Sequence, residues 1–393
     1  MKYNFDEIIE RKNTDSMKWS NEYLADNFGN ADALPFWVAD MDFKTAQPII
    51  DAIVARAKHG IYGYAIAGDE FYEAITSWQM RRNNWEVSKE WILFSPGIVP
   101  ALGHIVKTFC EPGDNVIIQS PVYYPFYGAI KNGGCNIINN KLLNNNGRYE
   151  IDFDDLETKA KDAKMMILCS PHNPVGRVWS ESDIRRICQI CKTNDVLLIA
   201  DEIHSDLIHK PHVHTAAGRI AAEAGTSYIV CTAPSKTFNL AGIQTSCIIV
   251  PDTDMRKKLS KTFYKADIMP NVFALAAMTA AYNNGEEWLD QLLEYLEGNI
   301  TFIETFVAEN MPKVKFQKPE GTYLAWLDFE AYGWTKEELK TVILDKANLA
   351  LDDGYIFGDG GETCQRINFA CPRSLLKKAL ESISKALKPY AEK

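Results

Sequence analysis

No stretch of this sequence approaches the roughly 18 consecutive apolar residues that a membrane-spanning helix needs. The opening residues, MKYNFDEIIERKNTDSMKW, carry mixed charge in place of the apolar run of a leader. A cytoplasmic location is therefore the expectation. Positive charge is also in deficit: 42 Lys and Arg stand against 52 Asp and Glu, a formal net charge of −10. Binding nucleic acid or an anionic membrane requires a basic face, so neither is expected as a partner. The pairs Arg81-Arg82 and Arg185-Arg186 read as helix-surface charges. Metal-ligand patterns are lacking as well. Cys188 and Cys191 form a CxxC inside a helical pattern, without a second pair or a neighbouring histidine. His209, His212 and His214 cluster with only Asp206 as a nearby carboxylate, and read as a solvated loop. No metal is expected. Internal repeats, low-complexity stretches and long linkers are missing too.

What is present is a globular composition, 46% hydrophobic and 24% charged, over 393 residues. That length exceeds one ordinary core and predicts two or three domains. The middle of the chain alternates short β-branched runs, at 116–119, 135–139, 165–169, 196–200, 228–232 and 246–250, with amphipathic helical patterns such as 182–194. Continuous apolar strands separated by helices predict a largely parallel sheet covered on both faces. Cys169, Cys231 and Cys247 fall inside these runs, where a reduced thiol packs as a small hydrophobe. An α/β domain is thus expected over 49–286. Residues 287–393 mix helical patterns (288–311, 336–346, 374–390) with strand-like ones (313–317, 322–328), which predicts a smaller α+β domain. Residues 1–48 show no sheet-like pattern and are expected to pack against that smaller domain.

The chemistry collects where the strands end. One run leads into Ser120-Pro121-Val122-Tyr123-Tyr124 and another into Ser170-Pro171-His172-Asn173-Pro174-Val175-Gly176. A third leads into Asp201-Glu202-Ile203-His204 and a fourth into Ala233-Pro234-Ser235-Lys236. In a parallel sheet all four turns emerge at the carboxyl edge, where open α/β sheets bind ligands. A pyridoxal phosphate would use each of these groups. A lysine amine forms a Schiff base with an aldehyde if desolvation leaves a neutral fraction. A carboxylate at a pyridine nitrogen keeps it protonated and makes the ring an electron sink. An amide can donate to the ring oxygen, and an aromatic can stack on the ring face. Ser95-Pro96-Gly97-Ile98-Val99-Pro100 opens an apolar helical pattern, whose N-terminus suits a phosphate.

These residues carry a resemblance that covers essentially the whole chain. The sequence resembles the fold-type I pyridoxal 5′-phosphate (PLP) enzymes of the aspartate aminotransferase superfamily, and among them the MalY/PatB type of carbon–sulfur lyases. The motifs are Leu-Pro-Phe-Trp-Val-Ala-Asp-Met-Asp-Phe at 34–43, Ser-Pro-Gly-Ile-Val at 95–99, Asn-Pro-Val-Gly at 173–176, Asp-Glu-Ile-His at 201–204 and Ser-Lys-Thr-Phe-Asn-Leu-Ala-Gly at 235–242. The resemblance implies a large domain with a mostly parallel seven-stranded sheet plus a smaller α+β domain. It implies Lys236, Asp201 and Tyr123 as the catalytic set: Lys236 on the cofactor aldehyde and then as base at the substrate Cα, Asp201 on the pyridine nitrogen, Tyr123 on the ring face. Asn173 would hold the ring oxygen, and Gly97, Ile98, Val99 and Ser235 the phosphate, with His204 beside the ring. Tyr64 resembles the tyrosine that reaches a neighbouring subunit's phosphate site, which implies a homodimer. Arg366 resembles the arginine that grips the substrate carboxylate, a task suited to a bidentate guanidinium, with Val38, Ala39 and Tyr124 beside it. Many aminotransferases of the superfamily have an arginine where Gln244 stands and a tyrosine where His204 stands; both departures fit the lyases.

The expected reaction is β-elimination of a sulfur-bearing L-amino acid such as cystathionine to thiol, pyruvate and ammonia. An aminotransferase of the same fold is the alternative, and a regulatory binding protein that keeps its PLP site is an alternative of another class. Structural readings stand beside the functional ones: Asp201 as a helix cap, Tyr123 as core with Tyr124 its rival for stacking, Arg366 in a structural ion pair with Arg373 its competitor, and Tyr64 as a turn residue.

Overall fold

A computed structural model describes residues 2–390. Its large sheet has seven strands: β1 (Ile92–Ser95), β2 (Asn115–Ile118), β3 (Asn136–Asn139), β4 (Met165–Cys169), β5 (Leu197–Asp201), β6 (Tyr228–Thr232) and β7 (Ser246–Ile249). They lie in the order β1-β7-β6-β5-β4-β2-β3. β7 runs opposite to the other strands, antiparallel to both β1 and β6, and the remaining pairs are parallel. Every residue of β4, β5, β6 and β7 is buried, which explains why these runs are apolar throughout and do not alternate. β1 is absent from the sequence-derived strands. It has only four residues, Ile-Leu-Phe-Ser, half of them partly exposed at the sheet edge, and so lacks a continuous apolar signal.

Helices cover both faces. Helix Glu181–Thr193 starts at a capping box made by Ser180 and Asp183 and buries Ile184, Ile187, Cys188 and Cys191 on one face. The CxxC is therefore packing. All nine cysteines are free and buried. Helix Ile98–Phe109 begins directly after β1 at Gly97, whose backbone is extended.

After the long helix Glu286–Asn310 the chain forms a second sheet of β8 (Lys315–Phe316), β9 (Leu324–Asp328), β10 (Asp352–Asp353) and β11 (Cys364–Asn368). Its order is β8-β9-β11-β10, antiparallel throughout. Helix Lys336–Lys340 continues into a wider π-helical turn, Thr341–Lys346. The N-terminal segment does contain sheet structure, contrary to its pattern: Leu34–Pro35 pairs in parallel with Leu349–Ala350. The amides of Phe36 and Asp42 then donate to Ala350 O (2.8 Å) and Ala370 O (2.9 Å). Two-residue strands give no periodicity to read. Among the described residues no helix is long and apolar enough to cross a membrane.

Candidate active site

The turns after β2, β4, β5 and β6 and the start of helix Ile98–Phe109 meet around one cavity of about 210 Å³. Its walls include Gly97, Ile98, Val99, Tyr123, Asn173, Asp201, His204, Ser235 and Lys236, together with Ala39 from the N-terminal segment. That volume holds one small aromatic ring with its substituents, not a polymer.

Asp201 ends β5, between Cys169 of β4 and Cys231 of β6. Its Oδ1 accepts one hydrogen bond, from the Ile203 amide at 3.1 Å. Full burial pushes its pKa up to about 7; the Ile203 N–H opposes this, Glu202 adds to it and Lys236 opposes it. Among the described residues a carboxylate so placed lacks a bonded cation, and a protonated ring nitrogen would supply one. Lys236 lies in the short helix Pro234–Thr237 after β6, and its Nζ donates to Ala39 O at 2.6 Å. Burial lowers its pKa to about 8, opposed by Asp40, reinforced by Arg366 and opposed again by Asp201. A usable neutral fraction of the amine therefore exists near neutral pH.

The cavity wall at the other end is the N-terminus of Ile98–Phe109, a 12-residue helix whose first amides have no intrahelical partners. Gln244 does not line the cavity; its neighbours Ala241 and Thr245 do. Tyr123 offers a neutral ring, its pKa raised by burial and by neighbouring Tyr124. Tyr124 lies outside the wall, edge-on to Phe357 at 5.6 Å. His204 is buried, edge-on to Tyr323 at 5.9 Å, and its Nδ1 has no hydrogen-bond partner among the described residues. Burial, then Lys236 and Arg366, hold its pKa well below the usual imidazole value, so the ring is neutral.

Arg366 stands just behind this wall, in β11 and 2% exposed. Its Nη1 donates to Asn173 Oδ1 (3.0 Å), and its Nη2 to Trp37 O (2.7 Å) and the Asp352 carboxylate. The guanidinium lies 4.9 Å from the Phe357 ring centre, and its Nε is buried without a hydrogen-bond partner among the described residues. Asn173 thus has its oxygen occupied by Arg366 and its Nδ2 donors left over. The competitor Arg373 is used elsewhere: it bonds Asn299 at 2.5 Å and stacks on Tyr295.

Within one chain Tyr64 does not line the cavity; it is 98% exposed and lines a separate hollow beside helices Gln47–Lys58 and Val272–Asn284, which leaves the role expected of it toward a neighbouring subunit open. Val38 is not part of the cavity wall, and its carbonyl accepts from Asn368 Nδ2 at 2.8 Å. One expectation needs correction. The histidine cluster is no solvated loop. His209 is buried with Nε2 on Thr322 O (2.6 Å), and His214 is buried 3.3 Å from Glu202; only His212 is exposed. Residues distant in sequence cover the first two: the Phe369 ring lies 6.2 Å from the His209 ring, and Glu202 faces His214. Among the described residues no group of three His, Cys, Asp or Glu is placed to hold a metal.

Sequence reasoning missed Tyr323 and Asp352. The Tyr323 hydroxyl donates to Ala39 O at 2.8 Å, and Asp352 opposes Arg366 across the β10–β11 pair. Asp352 sits in a two-residue strand with no local signal, and Tyr323 reads as one more aromatic in an apolar run.

The residues fit PLP in kind: an amine for its aldehyde, a cation-lacking buried carboxylate for its ring nitrogen, free amide donors for its ring oxygen, an aromatic face and a helix N-terminus for its phosphate.

The comparisons with known proteins agree. Residues 31–383 match the model of the family "Aminotransferase class I and II". The chain is 43% identical to cystathionine beta-lyase PatB of Bacillus subtilis (strain 168) over 387 residues, 98% of this chain and all of the relative. It superposes on cystalysin from Treponema denticola, which contains a pyridoxal 5′-phosphate cofactor, with a TM-score of 0.95 and 38% identity, covering 99% of this chain and 100% of that one. A PLP-bound protein of Clostridium difficile 630, provisionally described as an aminotransferase, gives a TM-score of 0.96 and 46% identity over 98% of this chain and 100% of the other. With a site of this geometry and a family match over most of its length, the chain belongs to the class I and II aminotransferases.

Proposed function

We propose that this chain is a PLP-dependent carbon–sulfur β-lyase that converts L-cystathionine, or a related L-cysteine conjugate, and water to a thiol, pyruvate and ammonia. The observation that carries this reading is the end-to-end match to a cystathionine beta-lyase at 43% identity, joined to a cavity whose donors and acceptors suit PLP.

When bound, the cofactor supplies an electron sink that acidifies the substrate Cα–H and loosens the Cβ–S bond. The chain's own residues do the rest. Lys236 Nζ, its basicity lowered by burial, takes the Cα proton. Asp201 stays anionic beside the ring nitrogen and keeps a proton there. Asn173 Nδ2 donates to the ring oxygen, and the Tyr123 ring covers one face. The amides of Gly97, Ile98 and Val99 and the Ser235 hydroxyl hold the phosphate. Neutral His204 lines the cavity without adding charge. Arg366 holds the substrate carboxylate through its Nε–H, with Ala39 closing that side and Val38 and Tyr124 behind it. The thiolate leaves from Cβ.

A homodimer belongs to the same proposal. Tyr64 (98% exposed), Ile66 (90%) and Ile61 (68%) form an apolar patch whose burial would favour association and would bring Tyr64 to the partner's phosphate site. A cytoplasmic location suits nine unpaired cysteines.

Replacing Lys236 with alanine tests the assignment. Thiol release from L-cystathionine should fall by about a thousandfold or more, and the visible cofactor band should change. Release at the unaltered rate would overturn the reading.

A further inference from the structure

Consecutive residues of the N-terminal segment give their backbone to side chains from the site. Trp37 O accepts from Arg366 Nη2 (2.7 Å), and Ala39 O accepts from Lys236 Nζ (2.6 Å) and Tyr323 Oη (2.8 Å). Val38 O and Asp40 O accept from Asn368 Nδ2 (2.8 and 2.6 Å). Met41 is held from both sides by Asn239: its N–H donates to Oδ1 and its carbonyl accepts from Nδ2, each at 2.9 Å. Residues 37–41 form neither helix nor strand, yet this short strap touches Lys236 and Arg366 at once. Something other than secondary structure must hold it in place.

That anchor is ionic and lies immediately behind the strap. Asp42, 5% exposed, accepts from Arg11 Nη1 (2.6 Å), Lys18 Nζ (2.7 Å) and Trp19 Nε1 (2.9 Å). Lys18 is 1% exposed and also reaches Asp40 O at 3.2 Å. Arg11 binds the Asp40 carboxylate (2.7 and 3.1 Å) and Met41 O (3.1 Å). Burial alone would raise the Asp42 pKa, but Lys18, Arg11 and Trp19 together bring it below its ordinary value. Buried ion clusters rarely stabilise a fold more than apolar packing of the same volume does. What such a cluster supplies is directional restraint, and here every member grips the strap or a residue next to it.

We propose that Asp42, with Lys18 and Arg11, is a positioning residue for the reaction: the cluster fixes the 37–41 strap, whose carbonyls orient the Lys236 amine and the Arg366 guanidinium together. The proposal rests on the roles given above to Lys236 and Arg366; none of the three cluster residues lines the cavity.

The test uses the holoenzyme with two variants. Asp42→Asn is isosteric. The double variant Lys18→Met/Asp42→Asn removes one charge of each sign, so no unpaired buried ion is left to unfold the protein. With cooperative melting retained, kcat should fall about tenfold as Lys236 loses its acceptor, and KM should rise about tenfold as Arg366 loses Trp37 O. The pH midpoint of the visible cofactor band should move down by about half a unit or more, because Ala39 O stabilises the protonated Lys236 nitrogen. The charged groups facing Lys236, namely Asp40, Asp201 and Arg366, are unchanged in both variants. Folded variants with unaltered kcat, KM and midpoint would overturn the positioning role, even if they melted earlier. An unaltered protein with no cofactor band would overturn the cofactor reading itself, and the positioning role with it.

Discussion

Arg366 Nη1 donates to Asn173 Oδ1 at 3.0 Å, although the two residues are 193 positions apart, one in the turn after β4 of the large sheet and the other in β11 of the small one. The amide assigned to the cofactor's ring oxygen and the guanidinium assigned to the substrate carboxylate are therefore one hydrogen-bonded unit. Its orientation is fixed by where each proton goes: the Asn173 oxygen is used by Arg366, so only its nitrogen can face the cofactor.

Replacing Arg366 with lysine should separate the two halves of that unit. A single ammonium cannot reach Asn173, Trp37 and Asp352 while also holding a carboxylate. KM for the amino acid should rise about a hundredfold, and the cofactor should stay bound. Steady-state kinetics beside the visible spectrum would show both. Loss of cofactor at unchanged KM would place Arg366 in the cofactor site instead.

Asp352 is buried against Arg366, and burial, eased by Arg366, leaves its pKa at about 6. Removing its charge in Asp352→Asn leaves the guanidinium without an anion. Breaking a buried pair from one side costs about 3–5 kcal/mol, so a loss of unfolding free energy of that size, seen as a lower denaturation midpoint, is expected. Chemical denaturation at neutral pH measures it; an unchanged midpoint would show that Arg366 has other compensation.

The Asp201 pKa, raised by burial to about 7 in the cofactor-free chain, makes a pH prediction of fixed sign. Between the ordinary carboxylate value and about 7 the folded chain binds more protons than the unfolded chain. This residue's contribution therefore favours folding less as pH rises through that window. Asp201→Asn removes the cost of the buried charge. The cofactor-free variant should melt above the cofactor-free parent at pH 8, and the gap should close by about pH 4. Calorimetric scans at several pH values decide it; a gap of the opposite sign would mean Asp201 already has a cation.

Gly176, just after the Asn173 turn, has φ +69°, and a Cβ there would meet Pro319 Cβ at 2.5 Å and Pro319 Cα at 2.9 Å. Its carbonyl also accepts from the amides of Glu320 (2.7 Å) and Gly321 (3.0 Å). Gly176→Ala therefore combines a left-handed backbone with a clash against another chain segment. A loss of about 2–4 kcal/mol in stability is expected. Equilibrium unfolding of the two proteins would measure it, and a loss below about 1 kcal/mol would show that the 319–321 loop yields.

The site was legible wherever chemistry follows a strong strand. Met165–Cys169 and Tyr228–Thr232 have the bounds that their apolar runs predict, and Asn173 and Lys236 follow them by a few residues. β1 and the two-residue strands at 34–35, 349–350 and 352–353 left no mark, because so few residues carry no period. Asp352 shows the other limit: a lone aspartate has no sequence signal of the arginine it faces, which only the β10–β11 register supplies. His209 and His214 look solvated in a polar run, but Thr322 O and Phe369 face the one and Glu202 the other, contacts that only the fold supplies.

The measurement closest to the central claim is incubation of the purified holoenzyme with L-cystathionine or L-cysteine and no added keto acid. Pyruvate is followed together with released thiol or sulfide. β-Elimination predicts sustained, equimolar formation of both through many turnovers. One equivalent of the substrate's own 2-keto acid per enzyme, its C–S bond intact and no thiol or sulfide released, with further turnover only when another 2-keto acid is added, would contradict it and make the chain an aminotransferase.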